Sequence, residues 1–180
     1  MSGRRPWLAS LVGGVALAIT STTAFGLPVL GQPREALTLV DAWDRALDLG
    51  RYRGMPMLLL YEDKDSATLN APLKAQLARL AAGDRYRSSI ALVAIADVTG
   101  YDYWPVRGFV KDAIQGESRK QGTDIYCDWT GSARQALQLD RGTSNVVLYD
   151  RAGRVAFSAS GALSEARREE LVRLLRSYVE

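Results

Sequence analysis

Met57-Leu-Leu-Leu-Tyr61, followed by Glu62-Asp-Lys-Asp-Ser-Ala-Thr-Leu-Asn-Ala-Pro-Leu73, carries the strongest fold signal in the chain. A short apolar run, a polar break and a helix-like segment form the pattern of a buried parallel strand feeding a helix. The break, Glu62 to Thr68, falls at the carboxyl end of that strand, where open α/β sheets place their working site.

Working outward, the helix after the break is expected to start at Asp65 or Ser66, both good caps. Its apolar stripe of Leu69, Leu73, Leu77 and Leu80 runs to Ala82, and Gly83 stops it. Pro72 then lies inside the helix and predicts a kink. Before the central strand, Ala36–Val40 is a strand candidate. Asp41 is expected to cap a helix with Trp43, Ala46 and Leu47 on one face, ending near Gly54. After it, Ser89–Ala96 reads as a second central strand. Val106–Lys120 reads as a helix with Phe109, Val110, Ala113 and Ile114 inward. Asp124–Cys127 is a short strand and Thr130–Leu139 a helix. Ser144–Tyr149 and Arg154–Ser158 form a hairpin over a turn ending in Gly153. Ser164 caps a last helix with Leu171, Leu174, Leu175 and Tyr178 inward.

Residues 1–26 read as an export signal: Arg4 and Arg5 as a positive head, Trp7–Ile19 as an apolar core, then small residues for cleavage. The alternative is an uncleaved anchor over residues 6–24. Residues 27–35, with two prolines and Gly31, read as a linker, and 36–180 as one domain. The expected location is therefore periplasmic or secreted, with inner-membrane anchoring as the alternative. The net charge of +3 includes Arg4 and Arg5, so the chain beyond the leader is nearly balanced. A balanced chain carries no electrostatic footprint for nucleic acid or for an anionic membrane, and contact with a membrane is expected only through the amino-terminal segment.

The chain has no histidine, which excludes Ser-His-Asp and Cys-His catalysis and every zinc site that needs an imidazole. Its one cysteine, Cys127, excludes an internal disulfide and any Cys-x-x-Cys pair.

Leu69-Asn-Ala-Pro-Leu73, Arg107-Gly-Phe-Val-Lys111, Cys127-Asp128 with Gly131 and Ala133-Arg134, Gln138-Leu139, and Leu148-Tyr-Asp150 before Gly153-Arg-Val155 carry a resemblance. Over Ala36–Arg176 the chain resembles the YtfJ-type family of small exported bacterial proteins. The resemblance implies an α/β fold, a thioredoxin-like three-layer sandwich with a central mixed sheet and an inserted helix-strand unit at Val106–Leu139. It also implies a relative of thioredoxin without redox activity. On that alignment Asp65, Ser66, Ala67 and Thr68 take the place of Cys-x-x-Cys, and Ser144 takes the place of the cis-proline, so its peptide bond is expected to be trans. A carboxylate and a hydroxyl cannot exchange electrons as two thiolates do.

Three further groups are candidates. Cys127, between Tyr126 and Trp129, reads as a buried small hydrophobe rather than a reactive thiol. Glu62, Asp63, Asp65, Asp97 and Asp128 all follow strands and could supply oxygen ligands, but strand-end loops are polar and caps are commonly Asp. No metal or cofactor is expected there. Tyr101, Tyr103 and Trp104 crowd one loop, as a binding surface if exposed and as core cover if not. The expected function is a non-catalytic binding or assembly module of the bacterial cell envelope with a protein partner. The alternative is an envelope enzyme working at the Glu62–Thr68 corner without thiols, or through Cys127 alone.

Overall fold

The computed structural model describes residues 26–180, so the expected leader lies outside the described residues. The central strand is β3 (Met57–Glu62), buried along its length as a run of apolar residues with no alternation requires. Its neighbours are β4 (Ala91–Asp97), parallel, and β6 (Asn145–Tyr149), antiparallel. Outside these lie β5 (Ile125–Asp128), parallel to β4, and β7 (Val155–Ser160), antiparallel to β6, giving the order β5-β4-β3-β6-β7. A separate hairpin of β1 (Thr38–Val40) and β2 (Ala46–Asp48) is tied to the β5 edge through Asp41 and Tyr126.

Strand alternation divides the core. Leu58, Leu60, Val146, Leu148 and Phe157 face α1 (Ala71–Ala81) and α5 (Glu165–Ser177) through Leu73, Leu171 and Leu175. Met57, Leu59, Tyr61, Val93, Ile95 and Val147 face the β1–β2 hairpin and α4 (Ser132–Ala136) through Leu39, Leu47, Ala133 and Leu137. The long helix α3 (Val106–Gln121) covers the β4–β5 side, with Val110 and Ile114 over Ala96, Cys127 and Val98. Helix α3, β5 and α4 are the inserted unit, and the three layers are those expected.

Several local expectations are corrected. Asp41 caps no helix: its Oδ1 accepts from the backbone N–H of Trp43 (2.8 Å) and Arg45 (2.9 Å), closing the β1–β2 turn with Asp44 at φ 63°. An aspartate that bonds its own following backbone makes a turn as readily as a cap. A 3₁₀ turn, Leu49–Tyr52, follows, capped by Asp48. Pro72 causes no kink, because α1 begins at Ala71 and the proline occupies the first turn, where an N–H would have no partner. Helix α1 does stop ahead of Gly83, with Ala82 as its last capping residue, but Gly83, at φ −92°, then opens a further short helix, α2 (Asp84–Ser89). On α3 the inward stripe is Val110, Ile114 and Ser118, at the helical spacing of four, so Phe109 and Ala113 point outward. Residues 27–35 are held to the sheet: Gly31 N–H donates to Val155 O (2.8 Å) and Val155 N–H to Gln32 O (2.9 Å).

Candidate functional site

The carboxyl ends of β3, β4 and β5 open onto one corner, closed from the other side by the residue before β6, Ser144. From β3 the chain enters a loop that two side chains lock reciprocally. Asp63 Oδ1 accepts from the N–H groups of Ser66 (2.7 Å) and Asp65 (3.1 Å), while Ser66 Oγ accepts from Asp63 N–H (3.0 Å). Burial opposes ionisation of Asp63, but the bonds from the Ser66 side chain and backbone and from Asp65 outweigh it and hold its carboxyl below the ordinary range. This closed loop carries the chain past Thr68, so the helix is capped at Asn70, beyond both Asp65 and Ser66.

The consequence is that α1 begins beyond Thr68. Asp65, Ser66, Ala67 and Thr68 lie at the mouth of the sheet but in the loop ahead of the helix. The residues in the first turn of α1 are Asn70, Ala71, Pro72 and Leu73, and it is Asn70 that meets Ser144. Ser66 is a loop lock rather than a helix cap. Among the described residues the one cis peptide is Trp104–Pro105, so the bond before Ser144 is trans.

Asn70, 1% exposed, uses every polar atom of its amide. Its Nδ2 donates to Ser144 Oγ (2.8 Å) and to Gly161 O (2.9 Å), and its Oδ1 accepts from Leu163 N–H (2.9 Å). Ser144 Oγ donates onward to Glu62 Oε1 (2.8 Å), and Lys74 Nζ reaches Glu62 Oε2 (2.5 Å) and Ala67 O (2.7 Å). The corner is thus filled by a continuous polar chain, Lys74–Glu62–Ser144–Asn70. Neither Asn70 nor Lys74 stands out in the sequence as a site residue; the available signal was Asn-x-Pro, an amide before a first-turn proline.

Two further carboxylates of the corner, Asp97 and Asp128, are held by neighbouring donors. Asp97 Oδ1 accepts from Thr99 N–H and Oγ1 (3.0 and 2.6 Å), and Asp128 Oδ2 accepts from Tyr61 Oη (3.1 Å) and Arg134 N–H (3.0 Å). Burial, with the charges of Asp128 and Asp97 added, pushes the Tyr61 hydroxyl far above its ordinary range, so it acts as a donor only. Among the described residues no cluster of three or more acidic or sulfur side chains converges to hold an ion. Cys127 sits on β5, two strands away from β3, 6% exposed, and burial followed by the charge of Asp41 pushes its thiol up to about 11. A thiol so placed is a poor nucleophile at neutral pH.

Tyr101, Tyr103 and Trp104 follow β4 at this same end, 39%, 57% and 91% exposed, and Phe109 on α3 adds a fourth exposed ring at 68%. Arg107 fixes the base of the loop by pairing with Asp102 and stacking 4.5 Å from the Trp129 ring.

The model of a family described as "Bacterial protein of unknown function (YtfJ_HI0045)" matches residues 63–178. No curated protein matches the chain. Among solved structures it is similar to a candidate protein disulfide isomerase from Bacteroides thetaiotaomicron, at 15% identity and TM-score 0.64 over 84% of this chain and 91% of that one. It is also similar to the peroxidoxin BcpB from Mycobacterium tuberculosis, at 17% identity and TM-score 0.60 over 83% and 97%. A secreted disulfide oxidoreductase of the same organism, homologous to E. coli DsbE, aligns at 18% identity and TM-score 0.56 over 79% and 96%. At these identities the likeness carries the fold, which is thioredoxin-like. The redox pair of that fold has no counterpart in a chain with one cysteine.

Proposed function

The chain belongs to the YtfJ_HI0045 family of bacterial proteins, and from that membership we propose that it is a redox-inactive thioredoxin-fold module that binds or assembles a protein partner in the bacterial cell envelope. The observation that carries this reading is Asn70 at the head of α1. At the head of α1, against the residue before β6, stands an amide with no free polar atom, bonded to Ser144. Such a site has nothing to transfer. Binding remains as a use for this end of the molecule, and the four exposed rings beside the corner are the residue type that dominates protein interfaces. The basic-apolar leader supports export, and the secreted mycobacterial oxidoreductase among its structural neighbours accords with it.

Capture from envelope extracts on the immobilised full-length protein tests the reading. Tyr103→Ala with Trp104→Ala is expected to lose the captured protein while melting shifts by no more than about 3 °C, as for exposed positions. Insulin reduction or peroxide turnover by the wild type that vanishes in Cys127→Ser would overturn it in favour of a single-thiol enzyme.

A further inference from the structure

At the end of the sheet opposite the acidic corner stand several basic side chains, with Asp124 and Asp150 among them. Strands β3, β4 and β5 begin there and β6 ends there. Helices α1, α3 and α5 run back to that end and α2 lies at it, and each closes on a basic last turn: Arg79, Arg87, Arg119 with Lys120, and Arg176.

A cleft of about 330 Å³ at this pole is lined by Arg34, Arg53 and Arg151 with Gly54 and Gly153, and by no acidic residue. The Arg53 guanidinium makes no hydrogen bond or ion pair among the described residues. Arg34 donates to Leu49 O (3.0 Å) and lies 5.7 Å from the Tyr149 ring centre. Burial works against its charge, Tyr149 favours it, Arg53 opposes it and Asp48 favours it, with burial outweighing the rest. Arg154 donates to Gly31 O (3.0 Å) and fixes the turn over Val29–Gln32 against the start of β7. On that turn Val29 and Leu30 are 70% and 67% exposed. The described chain begins at Gly26, shortly before this turn.

We propose that this pole docks on an anionic phospholipid surface, Arg34, Arg53 and Arg151 taking headgroup phosphodiesters and Val29 and Leu30 entering the acyl boundary. Arginine forks match phosphate oxygens, and an apolar pair set among basic residues is the composition that interfacial segments use. A free phosphate would fill the cleft equally well but would leave the Val29–Leu30 pair without a role. Docked this way, Tyr101, Tyr103 and Trp104 point away from the bilayer.

Flotation of the full-length protein with vesicles of phosphatidylcholine alone, or of phosphatidylcholine mixed with phosphatidylglycerol, tests the proposal. The wild type is expected to prefer the mixed vesicles. Arg53→Gln and Arg151→Gln should each reduce that preference about fivefold, the usual weight of one basic residue near such a surface. Lys64→Gln, at the opposite end, should leave it unchanged, and Val29→Ser with Leu30→Ser should weaken retention as salt rises. Arg53→Gln removes no hydrogen bond, so it remains informative if Arg151→Gln, which loses a bond to Tyr178 O, melts early. Equal retention on both vesicles would assign binding to the leader alone and overturn the proposal. A preference that survives the double arginine variant would overturn it too. An Arg53-dependent rise in melting temperature with inorganic phosphate, without any vesicle preference, would show a small-anion site instead.

Discussion

Asn70 is the residue on which the corner turns, and its loss is measurable without knowing any ligand. Asn70→Ala leaves the buried Leu163 N–H and the half-buried Gly161 O without this partner and removes one of the bonds to Ser144 Oγ. The expected cost is about 3 kcal/mol, read as a lowered midpoint in urea. A midpoint unchanged from wild type would show that the amide holds nothing together. Cys127 makes a prediction in pH. Its thiol is raised to about 11, so the native state favours the neutral form more than the unfolded chain does. That stabilisation is complete below the ordinary thiol range near pH 9 and is lost as pH rises towards 11, on the order of 2–3 kcal/mol in all. Tyr126 and Tyr149, both pushed up to about 12 by burial first, extend the fall at higher pH. The difference between wild type and Cys127→Ala across this window isolates the thiol; parallel profiles would contradict its burial. These single residues were unevenly legible. The absence of a thiol pair and the burial of Cys127 follow from composition and flanking aromatics. Asn70 does not, because its partners lie 74 to 93 positions away in the chain.

At the scale of elements, the reading succeeded where one signal acted alone and failed where a residue could serve two purposes. The β6–β7 hairpin and α5 stand where turn chemistry and the Ser164 cap put them, with Gly153 at φ 75° and Ser164 Oγ accepting from Arg167 N–H. Asp41 and Ser66 are equally good caps and turn formers, and in both places the turn won. The result at Asp41 was a hairpin in place of a helix, and at Ser66 a helix displaced towards the carboxyl terminus. That displacement gives a direct test. In the first turn Pro72 replaces no hydrogen-bonded N–H and adds only the rigidity of its ring. Pro72→Ala is therefore expected to destabilise by less than about 1 kcal/mol, whereas an interior proline relieved of its kink would stabilise by roughly 3 kcal/mol. Urea titrations of the two proteins separate the cases. The α3 stripe shows a different limit. Phe109 counts as apolar in any periodic scan, yet it lies off the 110–114–118 line and faces solvent.

Across the whole molecule, the layer order and the sheet were legible because alternating strands and helices admit few arrangements. The meeting of basic last turns was not, since it arises only when helix ends from distant parts of the chain are stacked at one pole. The segment over residues 27–34 belongs to this scale as well. It covers the opening of β7, an edge strand, so a chain beginning at Glu35 would expose backbone groups that Gly31, Gln32 and Arg34 now satisfy. That shortened chain is expected to self-associate, seen as concentration-dependent light scattering, while one beginning at Gly26 should remain monodisperse. Among the described residues no helix is long and apolar enough to cross a membrane. The Asn70 amide has one last consequence at this scale. It ties the head of α1 to the entry of β6 and to the connection between β7 and α5, closing loops as long as many covalent cross-links do. Unlike those, it needs no oxidant to form and yields to no reductant. The protein should therefore keep its shape and its melting point unchanged in dithiothreitol, indifferent to swings in its surroundings that would open or shut a bridge of sulfur at the same place.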